Sequence, residues 1–167
     1  MAKSEENLKA AFAGESQANR TYLAFAKAAE KEGFVQVAKL FRAAAEAETV
    51  HALAHLRVLG KVKSTAENLN EAVNGETYEF TKMYPEFIET AKAEGNKAAL
   101  VSFDYANKVE QVHADLYKKA AESVNAKSDL PAADIYVCPV CGDTFMGEVP
   151  DRCPVCGAPK ASFKKIE

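Results

Sequence analysis

Apolar residues recur at three- and four-residue spacing over the first 125 positions, the pattern of amphipathic helices, and the recurrence stops at glycine and capping residues. The first stripe carries Leu8, Ala11, Phe12, Tyr22, Phe25 and Ala29, with Glu15 and Asn19 on the same face. Ser4, followed by Glu5 and Glu6, predicts its N-cap, and Gly33 its end. A second helix over residues 34–59, stopped by Gly60, aligns Val37, Leu40, Phe41, Ala44 and Val58 with Glu48, His51 and His55. Ser64-Thr65-Ala66-Glu67 reads as a capping box for a third, which places Leu69, Ala72, Met83 and Phe87 beside Glu76 and Glu79 and ends at Gly95. Asn96 caps a fourth, where Phe103, Ala106, Tyr117 and Ala120 share a face with Glu110 and His113 until the pattern fades near Asn125. Pro85 falls inside the third helix, so a kink or irregularity is expected there. Long helices joined by short turns predict a mainly α chain with an antiparallel four-helix bundle over residues 1–126.

The composition shifts beyond residue 126, where all four Cys and five of the six Pro lie. A linker over residues 127–134 and a small turn-rich domain over 135–167 follow from that change. Within the bundle the two halves repeat. A shift of 62 positions takes Tyr22 to Tyr84, Phe25 to Phe87, Gly33 to Gly95, Phe41 to Phe103, Glu48 to Glu110 and His51 to His113. Gly14-Glu15 maps onto Gly75-Glu76 at a shift of 61, so one residue is inserted between Glu76 and Tyr84. Two related helix hairpins around a pseudo-twofold axis are expected.

Charge changes this picture little. With 24 acids, 21 bases and 48% hydrophobic residues in 167, the chain has the composition of a soluble globular protein, without the basic excess that nucleic acid or anionic lipid would select. No apolar run is long enough to span a membrane. The segment Met1-Ala2-Lys3-Ser4-Glu5-Glu6 lacks the apolar stretch of a secretory signal, which predicts a reducing, cytoplasmic location where four Cys suggest a metal before disulfides.

The acids on the apolar stripes carry the chemistry. Residues three apart on a helix differ by about 60° and about 4.5 Å in rise, so Glu48 with His51, and Glu110 with His113, can each reach one point. Glu15, Glu76 and Glu79 add three more inward carboxylates, and no Lys or Arg shares these stripes to neutralise them. Unpaired, buried charges of one sign are costly, and bound cations resolve the conflict. One Glu from each of two helices and a Glu-x-x-His from each of the other two is the ligand pattern of ferritin-like di-metal carboxylate bundles, and Glu15, Glu76, Glu48/His51 and Glu110/His113 fill it. Glu79 is one acid beyond that pattern. His55 lacks an acid three residues upstream and reads as a hydrogen-bonded core histidine. Tyr22 and Tyr84 lie about two turns past the acids on the same faces, where packing is the plain reading and a hydrogen bond to a ligand carboxylate the sharper one.

Cys138-Pro139-Val140-Cys141-Gly142 and Cys153-Pro154-Val155-Cys156-Gly157 are two thiolate-bearing turns, together a tetrahedral four-sulfur site for one Fe or Zn. Tyr136, Phe145 and Phe163 are expected to form the small aromatic core around it. A purely structural zinc ribbon remains an alternative for this segment.

In this order the motifs resemble the rubrerythrin family: Glu15, Glu48-x-x-His51, Glu76-x-x-Glu79 and Glu110-x-x-His113, then a short-loop rubredoxin-like Cys-Pro-Val-Cys-Gly pair. The likeness spans essentially the whole chain and includes Gly75-Glu76-Thr77-Tyr78-Glu79 and Tyr84-Pro85-Glu86-Phe87. It implies a non-haem di-iron peroxidase that reduces hydrogen peroxide to water in oxidative-stress defence, with electrons relayed through a rubredoxin-type Fe(Cys)4 centre at Cys138, Cys141, Cys153 and Cys156. By the same resemblance, Glu15, Glu48, Glu76, Glu110 and His113 are constant iron ligands, and one iron shifts between His51 when oxidised and Glu79 when reduced. It further implies a homodimer, served by an electron donor such as rubredoxin or an NAD(P)H-dependent reductase. A ferritin-like ferroxidase is the rival reading, though it leaves the four-Cys module without a purpose.

Overall fold

The computed structural model describes residues 2–167, with five α-helices and a small three-stranded sheet. Helices α1 (Lys3–Lys31) and α2 (Val35–Val58) form one hairpin. Helix α3 (Thr65–Tyr78) continues through a π-helical turn (Glu79–Met83) into α4 (Tyr84–Ala93), and α5 (Lys97–Asn125) returns beside both. Strands β1 (Ile135–Val137), β2 (Thr144–Met146) and β3 (Lys164–Ile166) follow in the order β2-β1-β3, both pairings antiparallel. The chain divides into two compact units, one up to Lys63 and one from Ser64 onward.

The local signals act as their chemistry requires. Ser64 and Glu67 close a reciprocal capping box at the start of α3, and the Asn96 side chain accepts from the Ala99 N–H at 3.1 Å to cap α5. Gly33, Gly60 and Gly95 end α1, α2 and α4 with φ of +88°, +64° and +67°, values at which any side chain would be strained. The first cap differs from expectation: Ala2 occupies the N-cap, without a side-chain bond, and Ser4 lies inside α1. The helix thus begins two residues earlier than a Ser4 cap would place it.

The irregularity expected at Pro85 is a π turn just ahead of it, in which the Tyr84 N–H reaches back five residues to the Glu79 carbonyl. A π turn absorbs one extra residue without altering the helix on either side. It lies where the repeat has its insertion, between Glu76 and Tyr84.

In the α1–α2 hairpin the contact is made by alanines. Ala26, Ala29, Ala38, Ala45 and Ala52 are buried, which lets the helices approach closely. Asn19 ties them by donating to the Ala45 carbonyl at 2.6 Å and to Thr49 Oγ1 at 2.8 Å. Phe25, Val37, Leu40 and Val58, assigned above to a buried stripe, are exposed, Leu40 by 69%. Two antiparallel helices cover only one side of each other, so a stripe wide enough for a four-helix core is left half open by a single hairpin. In the second unit Val109, Ala114, Ala120 and Ala121 of α5 are buried. The repeat is visible in three dimensions: Tyr22, Phe25 and Phe41 cluster with centroids 5.6–6.4 Å apart, and Tyr84, Phe87 and Phe103 at 5.5–6.3 Å. No helix among the described residues is long and apolar enough to cross a membrane.

Candidate metal centres

Each hairpin presents one triad. In the first unit, α1 supplies Glu15 and α2 supplies Glu48 and His51, with one ligand atom from each within 4.8 Å of the others. In the second, Glu76 of α3 meets Glu110 and His113 of α5 within the same limit. The Glu-x-x-His geometry is the same in both: His51 Nδ1 lies 2.9 Å from Glu48 Oε2, and His113 Nδ1 lies 2.7 Å from Glu110 Oε2. Two donors on one metal at about 2.1 Å and a right angle stand about 3.0 Å apart, so these side chains already hold the spacing of neighbouring ligands. His51 is the more open of the two, its side chain 55% exposed against 27% for His113.

Electrostatics distinguishes the second triad. Burial, then the adjacent Glu110, push Glu76 up to about 7. Glu79 is raised for the same two reasons, which sets it near this triad although it is not one of its three members. Burial, followed by Glu79, Glu110 and Glu76, raises the Tyr84 phenol, so this side chain feels the charge of all three acids. A site that presses two carboxylates toward the neutral form lacks positive charge, and divalent cations supply it. His55 is half-buried and belongs to neither triad.

The four cysteines are free and converge. Cys138 Sγ is 3.5 Å from Cys156 Sγ, Cys141 Sγ is 3.5 Å from Cys153 Sγ, and all four lie within 4.8 Å. A disulfide would need about 2.05 Å, whereas thiolates about 2.3 Å from one tetrahedral metal stand about 3.8 Å apart, close to what is seen. The two turns are copies: Gly142 N–H donates to the Cys138 carbonyl and Gly157 N–H to the Cys153 carbonyl, each at 2.9 Å, with φ of +90° and +78° at the glycines. Burial acts to raise the Cys138 thiol, but backbone N–H groups of Cys141 and Val140 aimed at its sulfur outweigh that and hold it below its usual value. Burial raises Cys153 and Cys141. Cys138, Cys153 and Ala158 form the module's buried centre. Phe145 and Phe163 stack edge-on at 5.2 Å, and Tyr136 sits opposite Phe145 across the sheet, its hydroxyl donating to Asp134 at 3.3 Å.

Two residues here went unread in the sequence, and a third was read without its role. Asp143 is 1% exposed and accepts from Cys153 Sγ at 3.5 Å. Thr144 touches His113 across 31 positions. Asn19, placed on the apolar stripe of α1, is a cross-link. A Cys-Gly-Asp-Thr stretch carries no periodic signal that could have marked the first two.

The family model described as Rubrerythrin matches residues 6–121, and that described as the rubredoxin-like domain of rubrerythrin matches residues 136–164. Rubrerythrin-2 of Clostridium acetobutylicum is 36% identical over 94% of this chain and 93% of its own length. Nigerythrin of Nitratidesulfovibrio vulgaris is 39% identical over 95% and 84%. A solved structure of nigerythrin in a mixed-valence state aligns with a TM-score of 0.59, at 38% identity, over 99% of this chain and 88% of that one. The helical part is therefore ferritin-like and the C-terminal part rubredoxin-like.

Proposed function

Because the chain belongs to the rubrerythrin family, we propose that it is a non-haem di-iron peroxidase that converts hydrogen peroxide, two protons and two electrons into two molecules of water. The observation that supports this most is the presence, in one chain, of two repeat-related Glu/Glu/His triads and a convergent four-thiol site. In this reading Glu15, Glu48, His51, Glu76, Glu79, Glu110 and His113 hold two irons, and Cys138, Cys141, Cys153 and Cys156 hold a third. When bound, the iron pair supplies both electrons for O–O cleavage, and the four-sulfur iron restores them one at a time.

The residues' own parts follow from their chemistry. The carboxylates lose their protons to metal and neutralise its charge. Tyr84, whose phenol is pushed up by burial and then by Glu79, Glu110 and Glu76, is in this reading the O–H donor that orients one of these carboxylates. In this reading Glu79, outside the second triad but raised by burial and by Glu110, is the alternative ligand to His51. Backbone N–H groups at the Cys138 and Cys153 sulfurs disperse thiolate charge and favour the reduced form of the small module.

Metal analysis and a visible spectrum of purified protein test the assignment, with about three irons per chain and ferric-thiolate colour expected. One zinc per chain and no iron would overturn it. Peroxide should oxidise the reduced protein faster than oxygen does, and the reverse order would favour a ferritin-like ferroxidase. Cys141→Ser should spare the first oxidation by peroxide but abolish sustained turnover with a rubredoxin or NAD(P)H-dependent donor. The proposal includes a homodimer, to be checked by light scattering on the metal-loaded protein.

A further inference from the structure

Two histidines related by the internal repeat have different surroundings. His113 Nε2 lies 3.0 Å from Thr144 Oγ1, and Thr144 Oγ1 in turn donates to the Gly142 carbonyl at 3.1 Å. His51 has a bond to Glu48 through Nδ1 and, among the described residues, none through Nε2. We propose that Thr144 is a positioning residue for His113: it selects the imidazole form with hydrogen on Nε2, so that the Nδ1 lone pair is presented to metal beside Glu110 and Glu76.

The argument is one of hydrogen count. A hydroxyl has a single proton, and Thr144 places it on the Gly142 carbonyl. With that proton on Gly142, the Thr144 lone pairs face His113, and in the proposed form Nε2–H donates to them at 3.0 Å. In neutral imidazole the other nitrogen is then the acceptor, and that is Nδ1, 2.7 Å from Glu110 Oε2. That form leaves the Nδ1 lone pair beside Glu110 Oε2, the arrangement that a cation between them bridges. Metal-bound histidines take their tautomer and ring direction from the partner of the second nitrogen.

The anchor is firm for three reasons. Thr144 belongs to β2, paired with Val137 of β1, so its backbone is held by the sheet. Gly142 sits against buried Val109 of α5, which seats the first cysteine turn on the helix that carries His113. The contact also borders a largely apolar cavity of about 330 Å³ lined by Leu69, Leu116, Tyr117 and Met146, where a hydrogen bond is stronger than in water. Through Gly142 the same bonds join His113 to the residue next to Cys141. Ordering of the four-cysteine module is thereby transmitted to one metal ligand, and the two repeat-related histidines become inequivalent.

This inference rests on the metal-binding part of the proposed function, but not on the substrate. The experiment uses the full chain loaded with zinc, which keeps His resonances observable, as wild type, Thr144→Val and Thr144→Ser. Nitrogen-15 spectra of the three histidines should show His113 locked with its proton on Nε2 in wild type and Thr144→Ser. In Thr144→Val the slowly exchanging Nε2–H signal should disappear and zinc affinity at the carboxylate site fall by roughly ten-fold. Cobalt–thiolate absorption should stay unchanged in all three, showing the module intact. An unchanged His113 signal and affinity in Thr144→Val, or a loss that Thr144→Ser does not restore, overturns the proposal. An iron-loaded, reduced protein that does not react with peroxide, while the zinc-loaded one shows the expected affinity and tautomer changes, would refute the peroxidase and leave Thr144's role standing.

Discussion

Glu76 shows how one side chain records its surroundings. Its carboxyl is pushed to about 7 by burial and by Glu110, so the folded, metal-free protein holds a proton that the unfolded chain releases from about pH 4.5 upward. Below that range the group is protonated in both states and carries no penalty. As pH rises to about 7 the folded state loses relative stability, and above 7 the loss is complete. Denaturant midpoints of metal-free wild type and Glu76→Gln should therefore diverge between pH 4.5 and 7, the glutamine variant gaining, and stay apart above. A difference independent of pH would contradict the assignment. For the same reason cation binding near pH 6 should release more protons than near pH 8, which calorimetry in buffers of different ionisation heat reads directly.

Among the elements, the π turn over Glu79–Met83 has the most specific consequence. It adds one residue between the acids of α3 and the aromatic residues of α4, which Tyr84 and Phe87 anchor on Phe103 of α5. Deleting the exposed Thr81 would restore a continuous α-helix, keep Glu76 in register with that anchor and remove the wide turn that presents Glu79. Far-ultraviolet circular dichroism should then be unchanged, while carboxylate-site metal affinity drops by at least roughly ten-fold. Retained stoichiometry and affinity would mean that the turn is only an accommodation of Pro85. The insertion was legible as a one-residue slip in the repeat. Its form as a π turn was not, because a slip can be absorbed by a loop, a kink or a wider helical turn, and packing on α5 decides among them.

For the molecule as a whole, the small C-terminal module depends on its metal most strongly. Its buried centre is two cysteines and one alanine, too little apolar surface for a domain of this size to fold unaided. Removal of metal by a chelator should raise amide exchange throughout residues 135–166 while helical ellipticity persists. Equal protection before and after chelation would show that the sheet folds alone. Because His113 bonds to Thr144, exchange should also quicken modestly around His113 in α5, and Thr144→Val should imitate that local effect without chelation.

What the sequence by itself determined was everything carried by short-range periodicity and by repetition. Four helices' worth of apolar spacing, the Ser64 and Asn96 caps, the glycine stops and the two cysteine turns all depend on residues within a few positions of one another. So do the pairs Glu48/His51 and Glu110/His113, since helix geometry alone brings residues three apart to one point. The tertiary structure decided what depends on long separations: the Asn19 tie across the hairpin, the exposure of Phe25 and Leu40, the lifted carboxyl of Glu76 and the Thr144–His113 bond. These follow from which helix face another element covers and from where β2 comes to rest on α5, and no local spacing encodes either.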